Sequence, residues 1–348
     1  MARPRAVIIG AGALGLGFLA ERMAGDYELC LADLAGRGAF LRRIAQDQGY
    51  AMNLCRTDGI EIRSVRGSFT VASFENSRPS RSLASALEET DLVLTAVGNR
   101  ALPGVVKAIA PVLNARQRPV WLLFCENGLE IAARHSRELT APVVLVDTVM
   151  SRMCRFAEPG EEGYVPLSPG SDEKLVAESY ASIPLDDTRC RNGPFTTVFQ
   201  LMESADFRMW EDAKLFMHNG LHAFMAYHAF LEGTKRFPAI SFSIREAALR
   251  VMREELVPSI VFHHSRARRE AIEHDGRELL ERFVSPYFND SIERGVRGAE
   301  EKLAPGERLL GGQDYIREAG IEPRGYATTI EAARRIAALT RGLGAVRG

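Results

Sequence analysis

Short apolar runs alternate with amphipathic stretches through the first half of the chain. Ala6 to Ile9, Glu28 to Ala32, Asp91 to Ala96, Val120 to Phe124 and Val143 to Val146 are nearly continuous in apolar residues, as strands buried on both faces are. Phe18 to Met23 and Leu102 to Leu113 carry their apolar residues at helical spacing instead. This alternation predicts an α/β fold built on a Rossmann-type, doubly wound parallel sheet. Ile60 to Val71 reads as an inserted hairpin or extra strands, and the Gly-, Pro-, Ser- and Glu-rich segment 158–173 as a loop at the domain edge.

After about residue 195 the pattern changes to long helical periods over Asp212 to Glu232, Ile244 to Leu256, Val261 to His274 and Glu278 to Phe283. Pro258, Pro286, Pro305 and Pro323 punctuate them. A mostly α-helical C-terminal domain is expected over 193–348, behind a Rossmann-like domain over 1–192. No repeat or low-complexity tract interrupts either.

A net charge of −1 over 348 residues leaves no bulk attraction to nucleic acid or to an anionic membrane. The cysteines Cys30, Cys55, Cys125, Cys154 and Cys190 are scattered and lack Cys-x-x-Cys spacing, which fits a reducing compartment. The opening residues superficially resemble a secretory signal, but Gly10, Gly12, Gly15 and Gly17 interrupt the apolar run. No segment is long and apolar enough to span a bilayer. A cytoplasmic protein without nucleic-acid or membrane partners is expected.

The first strand runs into Gly10-Ala11-Gly12-Ala13-Leu14-Gly15, and a helical pattern follows. Strand, G-x-G-x-x-G and helix in this order form a dinucleotide-binding turn. Gly10 permits the tight turn, Gly12 lets the backbone approach a pyrophosphate, and Gly15 allows close helix–strand packing. The free N–H groups of the turn, those of Ala11, Ala13 and Leu14 included, would face the phosphates. Asp33 ends the second strand 18 residues past Gly15, where a carboxylate accepts hydrogen bonds from the adenosine ribose and repels a 2′-phosphate. NAD is therefore favoured over NADP. Val97 follows the strand at Asp91 to Ala96, near where the cofactor should cross the sheet edge.

Residues 213–227 put Lys214, Asn219 and His222 on one predicted helix. At ~100° per residue they fall at roughly 0°, 140° and 80°, within one half of its circumference. A lysine takes a carbinol proton when burial and cationic neighbours lower its pKa, while an amide and an imidazole hold the reacting oxygen. Singly, each has a plainer reading as a surface lysine, a helix amide or a packed histidine. Together they are catalytic candidates for a metal-free alcohol or polyol dehydrogenase. His218 and His222 also have metal-ligand spacing, but no third ligand stands near them.

These residues resemble the long-chain polyol-specific (mannitol) dehydrogenases, whose helix signature K-x-x-x-x-N-x-x-H is matched by Lys214, Asn219 and His222. The resemblance extends through Gly10 to Phe18, Asp91 to Gly98, Cys125-Glu126-Asn127, Val146-Asp147, Pro286-Tyr287, Glu293-Arg294 and Lys302 to Leu309. Chain length is closest to the mannitol-phosphate branch. The resemblance implies a metal-independent, NAD-dependent interconversion of a sugar alcohol, such as mannitol 1-phosphate, with its ketose, such as fructose 6-phosphate. It implies Lys214 as general acid/base, with Asn127, Asn219 and His222 on the reacting oxygen and Asn127 also beside the cofactor. Arg297 and Lys302 are implied to hold substrate, and Arg152 is a further candidate for a phosphate or carboxylate.

Three positions depart from the family pattern. Leu16 replaces an arginine in its Gly-Arg-Gly-Phe turn, Ser151 replaces an aspartate, and Gly311-Gly312-Gln313-Asp314 lacks basic residues. A ketopantoate or 3-hydroxyacid-type reductase shares the two-domain plan and a catalytic lysine, but the Lys214-to-His222 spacing argues against it. A catalytically silent NAD-binding sensor has only Leu16 and Ser151 in its favour. The expected partner is a small polyol or ketose, or its phosphate, for a monomer or small homo-oligomer.

Overall fold

Strands in the first half follow the apolar runs closely. They are β1 (Arg5–Ile9), β2 (Glu28–Leu34), β3 (Gly49–Cys55), β4 (Ile60–Arg66), β5 (Ser68–Glu75), β6 (Arg78–Pro79), β7 (Leu92–Thr95), β8 (Val120–Phe124) and β9 (Val143–Asp147). β10 (Cys154–Phe156), β11 (Leu175–Glu178), β12 (Ile183–Asp186) and β13 (Phe199–Met202) complete the set. The computed structural model describes residues 3–345, in two units that divide between Phe207 and Arg208.

The main sheet of the first unit has the order β6-β5-β2-β1-β7-β8-β9 and is parallel except at the β5–β6 edge. Side chains alternate across it. Ala6 and Ile8 enter one core with Phe18, Leu19 and Met23, whereas Val7 and Ile9 enter the other with Leu83, Val106 and Ile109. Both faces are covered, and this is why the strands read as unbroken apolar runs.

Two expectations need correction. Of the two readings of Ile60 to Val71, extra strands holds and the hairpin does not, because β4 pairs antiparallel with β3 in a second sheet while β5 runs parallel to β2. Gly67 turns the chain between the two sheets, and a Cβ there would meet the Ala24 carbonyl oxygen at 2.7 Å. Periodicity revealed the strands and was silent about their partners. The first unit also extends beyond residue 192, since β13 pairs with β12. Phe195 and Phe199 pack edge to face at 5.4 Å, and Phe199 meets the Tyr27 ring at 6.2 Å.

The second unit is helical. Helix 204–231 runs without a break and contains a π-helical stretch at Ala213–His218. Helix 242–263 likewise continues through Pro258, which the sequence pattern marked as a stop. A π-helical stretch, Met252–Leu256, ends two residues before that proline, so the hydrogen-bond ladder is already offset where the ring lacks an N–H. Arg269–Phe283, Ile292–Val296, Ala299–Lys302, Leu310–Glu318 and Arg324–Ala345 follow. Glu255 caps the last of these, accepting from Gly325 N–H at 2.6 Å and Tyr326 N–H at 3.0 Å. Among the described residues no helix is long and apolar enough to cross a membrane.

Arg152, expected on substrate, is buried in the first unit. Its Nη1 donates to Gly17 O (2.8 Å) and to Glu21 (2.9 Å), its Nε to Tyr180 O, and its guanidinium lies 4.7 Å from the Phe18 ring centroid. Side-chain exposure is 2% for Arg152 and 4% for Glu21, so both charges are desolvated and depend on each other. A guanidinium so committed is an internal tie, and the substrate role is withdrawn from it. Arg152→Ala should therefore destabilise the first unit by about 3–5 kcal/mol in urea or thermal unfolding. The double variant Arg152→Met/Glu21→Leu should recover most of that loss. A stable Arg152→Ala protein with altered substrate KM alone would contradict this assignment.

Candidate active site

In the first unit the cofactor candidates gather at the carboxyl ends of the strands. Gly10 has φ of +97°, and a Cβ there would meet the Ala96 carbonyl oxygen at 2.5 Å, so the turn out of β1 requires glycine. Its N–H donates to Ala32 O at 2.8 Å, and Ala96 N–H donates to Ile9 O at 2.7 Å, tying the turn to β2 and β7. A Cβ on Gly15 would fall 2.1 Å from the Gly10 carbonyl oxygen, the close helix–strand approach that the motif calls for. At Gly12 a Cβ would meet nothing within 4 Å, so this side of the turn is open to a ligand. Ala11 precedes it, and Ala13 and Leu14 begin helix 13–23, whose first N–H groups have no partner inside the helix. Turn and helix together fit a pyrophosphate.

Strand order reverses at β1, where the chain builds β2 on one side and later β7 on the other. Ligands of such sheets bind at this switch point. Asp33 lies within the last residues of β2, Val97 follows β7, and Asn127 follows β8. Glu126, to which the sequence assigned no role, joins the last two loops: its carboxylate accepts from Thr95 Oγ1 at 2.7 Å and Val97 N–H at 3.0 Å. Burial pushes its pKa up, against these hydrogen bonds. Asn99 Nδ2 also donates to the Asn127 carbonyl. Leu16, where the family has arginine, is wholly buried in the core.

In the second unit the π-helical stretch alters the geometry expected of Lys214, Asn219 and His222. Asn219 N–H donates to the Lys214 carbonyl, five residues back. In a π-turn, residues five apart take up the stacked relation that residues four apart have in an α-helix. Lys214 and Asn219 therefore lie closer than the roughly 140° expected at α-helical period. His222 follows one α-helical turn above Asn219. Tyr326 Oη lies 3.1 Å from the Phe216 carbonyl and also within hydrogen-bonding distance of the Arg308 carbonyl, so one outside hydroxyl serves the π stretch.

Each of the three has a distinct setting. Lys214 is half-buried, whereas Asn219 is buried and its Nδ2 has no hydrogen-bond partner among the described residues. Such a donor is a place for a ligand oxygen. The His222 ring stacks on Phe237 (centroids 4.5 Å) and meets Phe283 edge-on (5.0 Å), while its Nε2 lies 3.5 Å from Asp290 Oδ2. Burial holds its pKa below the usual range, although Asp290 opposes the shift. His218 is held well below its usual value by burial and then by the Lys214 charge, so it is a neutral neighbour.

Cations surround this helix. Lys302 Nζ donates to Gly295 O at 2.7 Å and sits 5.6 Å from the Tyr227 ring centroid. Burial, then the charges of Arg308, Arg294 and, more weakly, Arg297 bring its pKa down to about 7. Arg297 itself is exposed at the end of Ile292–Val296. Arg294 is the nearer guanidinium, with Nη1 2.9 Å from Asp290 Oδ2, the carboxylate that also faces His222. Gly295 lets this segment pack on helix 204–231: a Cβ there would meet Ala226 Cβ at 2.6 Å and His222 Cε1 at 3.4 Å. Sequence reasoning gave no role to Asp290, Arg294, Arg308 or Tyr227. The i, i+4 spacing of Asp290 and Arg294 was the one available signal.

Comparison with known proteins identifies the family of both units. The family model described as the mannitol dehydrogenase Rossmann domain matches residues 4–154, and that of the mannitol dehydrogenase C-terminal domain matches 206–335. The chain is 26% identical over 338 residues to mannitol-1-phosphate 5-dehydrogenase of Shouchella clausii, covering 94% of this chain and 87% of that protein. It is 24% identical over 344 residues to the enzyme of the same name from Emericella nidulans, covering 95% and 86%. Among solved structures, Pseudomonas fluorescens mannitol 2-dehydrogenase, in a ternary complex with NAD and D-mannitol, is similar in fold at TM-score 0.67 and 15% identity. That match covers 95% of this chain and 78% of the other. A probable 2-dehydropantoate 2-reductase from Bacillus subtilis shares the fold at TM-score 0.52 and 12% identity, with coverage of 95% and 99%. With both of its units matched in order, and over more than half of its length, the chain belongs to the mannitol dehydrogenase family and is an NAD-dependent polyol oxidoreductase.

Proposed function

We propose that the chain interconverts mannitol 1-phosphate and fructose 6-phosphate, with Lys214 as the general acid and base. The observation that supports the reading is the i→i+5 bond from Asn219 to Lys214, which stacks these two residues along the helix, together with an Asn219 Nδ2 that is buried and has no hydrogen-bond partner among the described residues. The names of the relatives support the phosphate, as does the cationic set Arg294, Lys302 and Arg308.

Gly10 to Gly15 would hold the pyrophosphate, Asp33 the adenosine ribose, and Val97 and Asn127 the remainder of NAD, which when bound supplies or accepts the hydride. In ketose reduction Lys214 gives a proton to the carbonyl oxygen as that carbon becomes a carbinol. In polyol oxidation the neutral amine takes the hydroxyl proton back. Asn219 Nδ2 would donate to the same oxygen and stabilise its developing charge. With Asp290 accepting Nε2–H, neutral His222 keeps its lone pair on Nδ1 and would accept from a substrate hydroxyl. Lys302 is the proposed contact to the phosphate, with Arg297 at the margin and Arg294 nearer.

Two measurements test this. NADH oxidation with fructose 6-phosphate should proceed, withstand a chelator, and fall by ~10²–10⁴ in kcat for Lys214→Ala with NADH binding kept. Full turnover in that variant would remove Lys214 from the role. The second concerns pH. Lys302, with a pKa of about 7 in the free protein, is charged below that value and neutral above it. Thus kcat/KM for fructose 6-phosphate should decline as pH rises through about 7, and Lys302→Arg, charged throughout, should abolish that decline. An unchanged pH profile in Lys302→Arg would rule out the contact.

A further inference from the structure

We infer that Tyr326 is a positioning residue for the reaction: its hydroxyl fixes the π-helical stretch that sets where Lys214 and Asn219 stand. The inference rests on the role proposed above for Lys214. Tyr326 lies in the first turn of helix 324–345 and is wholly buried. Its Oη is 3.1 Å from the Phe216 carbonyl oxygen and also reaches the Arg308 carbonyl. Phe216 belongs to the π-helical stretch Ala213–His218 and falls between Lys214 and Asn219 in the chain.

Asn219 N–H bonds to the Lys214 carbonyl across the stretch, and α-helical bonding resumes from Asn219. Where a five-residue spacing returns to four, carbonyls outnumber by one the amides that can reach them. The wider turn therefore competes with the ordinary α-helical ladder, and a donor from outside the helix favours it. Tyr326 brings such a donor to the Phe216 carbonyl, next to the changeover. Burial pushes the tyrosine pKa up, so the proton stays on oxygen throughout the working pH range. Through its second acceptor the same hydroxyl ties the helix bearing Lys214 to the backbone of Arg308, a cation that helps to lower the Lys302 pKa.

The packing is shaped around the hydroxyl oxygen itself. A Cβ on Gly312 would lie 2.5 Å from that oxygen, and one on Gly220 would overlap it. Two glycines on separate helices thus clear a space that a phenylalanine ring would not need. Glu255 fixes the backbone of the tyrosine, accepting from Gly325 N–H at 2.6 Å and Tyr326 N–H at 3.0 Å. Without the hydroxyl, four-residue bonding can return, and Lys214 would rotate away from Asn219 toward the roughly 140° of an α-helix. Displacing a positioned group by about 1 Å is enough to cost turnover.

The test assays fructose 6-phosphate reduction by NADH in full-length protein: the native chain, Tyr326→Phe, Lys214→Ala and the double variant. Tyr326→Phe keeps the ring and removes only the hydroxyl. It should lower kcat by about fivefold or more, while KM for fructose 6-phosphate and the Kd of NADH change less than about twofold. In the Lys214→Ala background the same substitution should change kcat less than about twofold, because nothing is left to position. A smaller loss in the single variant, a loss that appears in KM, or an equal loss in the Lys214→Ala background overturns the inference. Tyr326→p-aminophenylalanine keeps a donor at the tip of the ring and should bring kcat to within about threefold of native. A loss equal to that of Tyr326→Phe would overturn the inference too. Should Tyr326→Phe not fold, amide exchange in the native chain decides: Asn219 N–H should exchange as slowly as the amides of the α-helix that follows, and exchange more than about tenfold faster overturns the inference. Full turnover in Lys214→Ala would remove the role of Lys214 and this inference with it. Lost turnover there, with none lost in Tyr326→Phe, overturns this inference alone.

Discussion

The carbonyl of Lys214 takes its hydrogen bond from an amide five residues on, and the chemistry proposed for the second unit depends on that bond. An α-helix would separate Lys214 from Asn219 by well over a quarter turn; the π-turn lays one above the other. The wider turn has a cost, because it disturbs the hydrogen-bond ladder around it. Tyr326 answers that cost by bringing its hydroxyl to the Phe216 carbonyl from a different helix. Gly220 and Gly312 make the approach possible, since a Cβ on either would lie within 2.5 Å of the Tyr326 hydroxyl oxygen. Helix 324–345, which carries that tyrosine, is in turn capped by Glu255. A local helical irregularity is thus held by long-range packing.

Electrostatics around this helix follow from an imbalance. Lys214, Arg294, Lys302 and Arg308 bring positive charge to a poorly solvated region, while the buried carboxylate of Asp290 faces both His222 and Arg294. Repulsion and burial act together, so the imidazoles stay neutral and Lys302 titrates near neutrality. The first unit solves its charge problem differently. Arg152 and Glu21 are both buried but neutralise each other, with backbone carbonyls taking up the remaining guanidinium donors. In one arrangement the charges are unbalanced; in the other they are matched. Sequence position alone cannot distinguish them.

The main sheet was legible because its strands are covered on both faces. Apolar runs such as Val120 to Phe124 have no other simple reading, and Gly10, Gly12 and Gly15 announce a turn whose steric demands are met here almost atom by atom. Less of the edges was legible. β4 and β5 follow each other through Gly67, as a hairpin would, yet join different sheets. Pro258 carried every mark of a helix stop, but the preceding π stretch had already shifted the ladder. Of the candidate site, Lys214, Asn219 and His222 lie on one continuous helix, with a π-turn where the sequence pattern assumed α-helical period. Arg152 was read as a ligand contact because its burial leaves no trace in the local sequence.

By itself, the sequence determined what short-range physics controls: the βα alternation, the glycine turn, the acid at the end of β2 and the residues carried by the long helix. Those features depend on periodicity and on backbone sterics within a few residues, and both are written locally. Tertiary structure alone decided which charges are matched, as Arg152 is by Glu21, and which sit among like charges, as Lys302 does. The energy of a charge depends on its burial and on partners far away in the chain, and no local pattern encodes either.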